Sequence, residues 1–118
     1  MSRAGETDPV DLSHLARYTG GEAQLTAEVL QLFVAQAPTL LSRLEDTLAQ
    51  REAKTWRETN HALKGAARGI GAFALGDAAA SAEKLDIERE PQKAAAALKT
   101  LNRCSETVKL FVDAYLGR

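Results

Sequence analysis

His61, Lys64 and Gly65 stand within one short stretch, NHALKGAARGIGA, which runs from Asn60 to Ala72. A neutral imidazole is a nucleophile that can take a phosphoryl group on a ring nitrogen, and an ordinary histidine, with a pKa of about 6.5, is mostly neutral above pH 7. On a helix, Lys64 falls on the same side as His61, where its ammonium can offset the charge of an arriving phosphoryl group. Gly65 lies one turn beyond His61 on that side. Glycine in an exposed helix interior costs roughly 1 kcal/mol relative to alanine. The return is steric, because a bare backbone at 65 lets a second molecule approach the imidazole. Arg57 and Arg68 add positive charge to the same side, an environment that suits phosphate.

A helix must carry these groups, and its wheel separates two faces. With Leu63 at the centre of an inward face, Trp56, Asn60, Ala67 and Ile70 fall within roughly 60° of it, and His61 lies about 160° away. Thr59 and Ala66 share the inward side. The outward side reads Arg57, His61, Lys64, Gly65, Arg68. This helix is predicted over about Ala53–Ile70, ending at the Gly69/Gly71 pair.

Four further helices are predicted. Val10–Tyr18 forms a short one, with Val10, Leu12 and Leu15 inward, stopped by Gly20-Gly21. A long amphipathic helix spans about Glu22–Gln50. Its apolar residues Leu25, Val29, Leu32, Phe33, Ala37, Leu40, Leu44 and Leu48 recur at three- and four-residue steps. Pro38 is expected to kink or break it. A helix over about Ala72–Asp86 is rich in small residues that allow close approach: Ala74, Gly76, Ala78, Ala79, Ala80 and Ala82. Pro91 opens the last helix, since proline fits a first turn. Its stripe is Ala94, Leu98, Leu101, Ser105, Val108, Val112 and Tyr115, widened by Cys104 and Phe111. Strand alternation is absent. The expected fold is all-α: an antiparallel four-helix bundle over residues 9–118 with an additional short N-terminal helix capping one end, after a disordered leader over residues 1–8.

The bulk composition narrows the function. The chain has 118 residues, 45% hydrophobic and 26% charged, with a net charge of −1. That is enough chain for one domain with its own core, and it offers no overall attraction to nucleic acid or to a membrane surface. No run approaches 18 apolar residues, so no segment spans a bilayer. MSRAGETDPVD has no apolar stretch of the signal-peptide kind. The single cysteine, Cys104, excludes an internal disulfide and suits a reducing cytoplasm. A stand-alone protein and an excised domain would read alike.

His61-Ala62-Leu63-Lys64-Gly65, with Gly71 ten residues after the histidine, resembles the signature of histidine-containing phosphotransfer (HPt) domains. LARYTGG, from Leu15 to Gly21, is similar to that family's N-terminal segment, and Leu30–Leu48, with Phe33 and Pro38, to its long second helix. The resemblance covers roughly residues 10–115. It implies a four-helix bundle with an exposed phosphorylatable histidine, serving two-component phosphorelays. His61 matches the phosphoacceptor, and Lys64 and Gly65 match the family's lysine and glycine. Glu83, twenty-two residues after the histidine, matches an acidic or amide position beside the imidazole. There it would accept a hydrogen bond from one ring nitrogen, fix the tautomer and leave the other nitrogen nucleophilic. Two positions depart from the family's pattern: Asn60, where alanine is common, and Ala82, where a large apolar residue is usual. The partners implied are response-regulator receiver domains and a sensor (hybrid) histidine kinase. The chain itself needs no cofactor, and Mg²⁺ is expected on the receiver.

The remaining candidates read as structural. His14 has no partner motif and is expected in solvent. No HExxH or Cys/His spacing marks a metal site. Trp56 is expected in the core and Cys104 as a buried small hydrophobe. Asp77 and the charges at Arg43, Glu45 and Asp46 read as solvated. Arg57 and Arg68 are either docking charges or solvated ones. No phosphate-cradling glycine loop or nucleotide site is apparent, so the expectation is a cytoplasmic, monomeric phosphoryl carrier rather than an enzyme. Two other functions compete: a phosphorylation-independent helical adaptor that docks receiver or kinase domains, and a dimerising histidine domain that binds ATP. The chain is too short for a separate nucleotide-binding domain.

Overall fold

The computed structural model describes residues 8–118. Five helices follow one another: α1 (Leu12–Thr19), α2 (Ala23–Ala49), α3 (Ala53–Gly69), α4 (Phe73–Glu83) and α5 (Pro91–Tyr115). Three-residue connections join α1 to α2, α2 to α3 and α3 to α4. Links this short force consecutive helices into antiparallel neighbours. α2 packs on α3, α3 on α4 and α4 on α5, and α5 closes the ring by returning to α2. The result is a four-helix bundle with α1 laid against α2. The leader expected over residues 1–8 lies, except for Asp8, outside the described residues.

The core runs down the bundle axis. Leu30, Phe33, Ala37, Leu41 and Leu44 enter from α2, Trp56, Leu63 and Ala67 from α3, Leu75, Ala79 and Ala82 from α4, and Ala94, Leu98, Leu101, Val108 and Val112 from α5. Each set repeats at three, four or seven residues, the period of one helix face.

Several expectations need correction. Leu25 and Leu32 are 38% and 58% exposed, because the buried stripe of α2 is centred on Thr26, Leu30, Phe33 and Ala37. Burial of Phe33, Ala37, Leu41 and Leu44 on both sides of Pro38 carries α2 through the proline without interruption. α4 ends at Glu83, three residues early, and a seven-residue link follows. α1 begins at Leu12, yet Val10 before it is fully buried. On α5, Tyr115 is exposed while Ser105, Cys104 and Phe111 are only half-buried.

The turn between α3 and α4 fixes the register of the bundle. Ala72 N–H donates to the Ala67 carbonyl at 2.8 Å and Gly71 N–H to that of Arg68 at 3.1 Å. This is the Schellman closure, which needs a left-handed residue after the helix cap, and Gly71 has φ +83°. Gly71 is also a crossing point. Its carbonyl accepts from Asp11 N–H at 2.9 Å, and a Cβ at 71 would lie 2.6 Å from the Asp11 carbonyl oxygen. Asp11 in turn caps α1 by accepting from His14 N–H at 3.1 Å. One glycine therefore shapes the hairpin and seats the N-terminal helix.

Gly71→Ala meets both constraints and should destabilise the protein by about 1–3 kcal/mol, the range for left-handed strain. Urea denaturation followed by circular dichroism measures it. An unchanged midpoint would contradict both the left-handed conformation at 71 and the close approach of Asp11 to this turn.

Candidate functional site

α3 presents the two faces that the wheel separates. Trp56, Thr59, Asn60, Leu63 and Ala67 are buried, whereas Arg57, His61, Gly65 and Arg68 are exposed and Lys64 is half-buried. The His61 side chain is 69% exposed. α4 runs back along α3 from Gly71, so residues at similar distances on either side of the turn face each other. That antiparallel register carries Glu83 to His61.

Glu83 bridges two groups of α3. Its Oε1 accepts from Lys64 Nζ at 2.8 Å, and its Oε2 lies 3.2 Å from His61 Nδ1. Glu83 is the last residue of α4, where a carboxylate meets the negative end of the helix dipole. Lys64 outweighs that disadvantage. The Lys64 hydrogen bond, and after it the one with His61, hold the Glu83 carboxyl below its ordinary pKa against an opposing effect of burial. The carboxylate therefore stays ionised as an acceptor, which favours a proton on His61 Nδ1. In that tautomer Nε2 carries a free lone pair. Nε2 has no hydrogen-bond partner among the described residues.

The surroundings are open on one side and tied down on the other. A Cβ at Gly65 would meet nothing within 4 Å, so the space above the backbone beside His61 is free. Further along the seam, Arg68 lies across α4 at Gly76, where a Cβ would come within 2.7 Å of Arg68 Cγ. Arg68 Nη2 reaches Asp77 Oδ1 at 3.1 Å. Among the described residues no group of three or more His, Cys, Asp or Glu forms a metal site, and no described helix is long and apolar enough to cross a membrane.

The family model of the Hpt domain matches residues 28–113. The chain belongs to the Hpt domain family. The match includes His61, Lys64, Gly65 and Glu83, and it spans the bundle from within α2 nearly to the end of α5. An Hpt domain is a phosphocarrier module of two-component signalling that works with receiver domains and histidine kinases. No curated protein and no solved structure matches the chain.

Within this Hpt domain the predicted site residues divide. His61, Lys64 and Glu83 come together, with Gly65 beside them. Of the two arginines, Arg68 is engaged by Asp77, which had read as a solvated charge. Arg57 makes no ion pair among the described residues and lines an open recess with Lys84, Asp86, Glu88 and Arg89. His14 is not simply solvated: its ring stands edge-on to Phe73 at 5.0 Å and to Tyr18 at 5.4 Å. Trp56, fully buried as expected, donates its indole N–H to the Ala82 carbonyl at 2.8 Å. The Arg68–Asp77 and Trp56–Ala82 contacts are invisible in a single helix wheel. Placing the hairpin turn at Gly71 would have brought both pairs within reach.

Because its pKa is depressed, Glu83 contributes stability that is fully present above about pH 4.3, the unfolded value, and lost as pH falls through the folded value. Glu83→Gln should therefore be less stable than the wild type at neutral pH. The gap should narrow below about pH 4.3, as the wild-type carboxyl takes up its proton. Urea midpoints between pH 3 and pH 7 check this, and parallel curves for the two proteins would contradict it.

Proposed function

We propose that His61 is the phosphoacceptor of a two-component phosphorelay, taking its phosphoryl group from a receiver-domain aspartate or a kinase and passing it to another receiver. The observation that carries this reading is the bond between Glu83 and His61 Nδ1, which directs the lone pair of Nε2 outward on an exposed ring. In transfer from an aspartyl phosphate, the Nε2 lone pair forms the N–P bond. The P–O bond breaks, and its electrons leave with the aspartate as carboxylate. The imidazole, still protonated at Nδ1, becomes a cation, and Glu83 is placed to balance that developing charge. Lys64 has two N–H donors beyond the one it gives Glu83, and they are available to the phosphoryl oxygens. Mg²⁺ belongs to the receiver in this scheme. The chain is then a carrier, not an enzyme with its own nucleotide or metal site, and it acts as a monomer in the cytoplasm.

Arg57 is the better docking charge of the two arginines, since Arg68 is already paired. Gly65 supplies clearance for the receiver. The adaptor alternative predicts docking without phosphorylation.

The direct test is incubation of the wild type and His61→Gln with radiolabelled phosphorylated receivers and kinases. Label on the wild type that is acid-labile, alkali-stable and absent from the variant supports the relay. A donor that docks while His61 takes no label favours the adaptor. A second test uses Gly65→Ala. This substitution should raise stability by up to about 1 kcal/mol through helix propensity, yet slow phosphorylation by a receiver. Equal transfer rates for variant and wild type would remove the clearance role.

A further inference from the structure

Glu83 meets His61 from the final residue of α4, after which the chain leaves the helix for a seven-residue link. A helix end is where order is weakest, yet the contact with His61 requires this end to be well placed. The group that fixes it lies underneath. Trp56, the chain's one tryptophan, is fully buried, and its Nε1–H donates to the Ala82 carbonyl at 2.8 Å. That carbonyl belongs to the peptide unit joining Ala82 to Glu83. The unit is planar, so its oxygen, the Glu83 nitrogen and the Glu83 Cα move as one body. Holding the oxygen orients the Cα from which the carboxylate projects. The Leu85 N–H also donates to this oxygen, at 3.1 Å, but Leu85 lies three residues on in the same segment, so that bond does not tie the unit to α3. The indole is the donor that ties the unit to α3.

The three groups of α3 that grip this end of α4 are close in sequence. Trp56 reaches the backbone from inside the core, while Lys64 and His61 reach the carboxylate from outside. His61 and Lys64 are the titratable groups facing Glu83. Ala82 is fully buried, and its small side chain accompanies the close approach of the indole to its carbonyl.

We propose that Trp56 is a positioning residue for phosphoryl transfer, whose indole N–H holds the Ala82–Glu83 peptide so that the Glu83 carboxylate meets His61 Nδ1, a role that rests on His61 being the acceptor. Without this hold His61 stays exposed, but its tautomer is no longer set by a fixed carboxylate.

The test replaces Trp56 in two ways. Trp56→Phe keeps an aromatic ring and removes the donor. Incorporation of 3-benzothienylalanine at 56 keeps the indole shape with sulfur in place of N–H, and serves if Trp56→Phe does not fold by circular dichroism. Two readouts follow. In the unphosphorylated protein, the Glu83 carboxyl is titrated by carbon-13 NMR, and its midpoint should move up toward an ordinary glutamate in either variant. With a phosphorylated receiver as donor, labelling of His61 should slow by a factor similar to that of Glu83→Ala, which removes the acceptor, and Trp56→Phe combined with Glu83→Ala should be no slower than Glu83→Ala alone. An unmoved Glu83 titration, or rate losses that multiply in the double variant, would overturn the proposal. If wild-type His61 takes no label from any donor, the acceptor reading fails separately, and the Glu83 titration still decides whether Trp56 holds the carboxylate.

Discussion

The left-handed turn at Gly71 decides what His61 faces. It sends α4 back along α3 in one register, and in that register Arg68 meets Asp77 and Glu83 meets His61 and Lys64. A helix advances about 100° per residue, so a hairpin closed one residue earlier or later would swing the Glu83 carboxylate well away from the imidazole. The same glycine leaves room for the backbone of Asp11, which ties α1 to this end of the bundle. The chemistry proposed for His61 thus depends on a backbone conformation ten residues away that only glycine adopts cheaply.

Around His61 several choices run against stability. Gly65 sits mid-helix with open space above it. Glu83 places a negative charge at the negative end of a helix. Beneath His61, Asn60 is fully buried; its Nδ2 donates to the Trp56 carbonyl at 3.2 Å, while its Oδ1 has no partner among the described residues. A buried acceptor without a partner costs about 1–3 kcal/mol. In the proposed relay, clearance for a receiver accounts for Gly65, and orientation of the ring accounts for Glu83. Nothing in the structure explains Asn60.

Much of this was legible in the sequence because helical periodicity is a local signal. The faces of α3 followed from the spacing of Trp56, Leu63 and Ala67, and the exposure of His61 followed from those faces. Pairing between helices was less legible. Glu83 was placed near the imidazole by family resemblance, whereas the Arg68–Asp77 and Trp56–Ala82 contacts needed the hairpin register, which no single wheel contains. Within the stripe of α2, Leu25 and Leu32 were misplaced, because they are apolar and correctly spaced but lie beside the core, while Thr26 is buried in their stead; Phe33, Ala37 and Leu44 are buried as expected. Pro38 misled for a related reason: local propensity argues for a break, and burial on both sides of the proline overrides it.

The most direct measurement is nitrogen-15 NMR of the His61 imidazole before and after phosphorylation. The structure predicts a proton on Nδ1 beside Glu83 in the free protein, and phosphorus bonded to Nε2 in the phosphorylated one. A dominant Nε2–H tautomer, or phosphorus on Nδ1, would contradict the view that Glu83 orients His61 as an outward-facing acceptor.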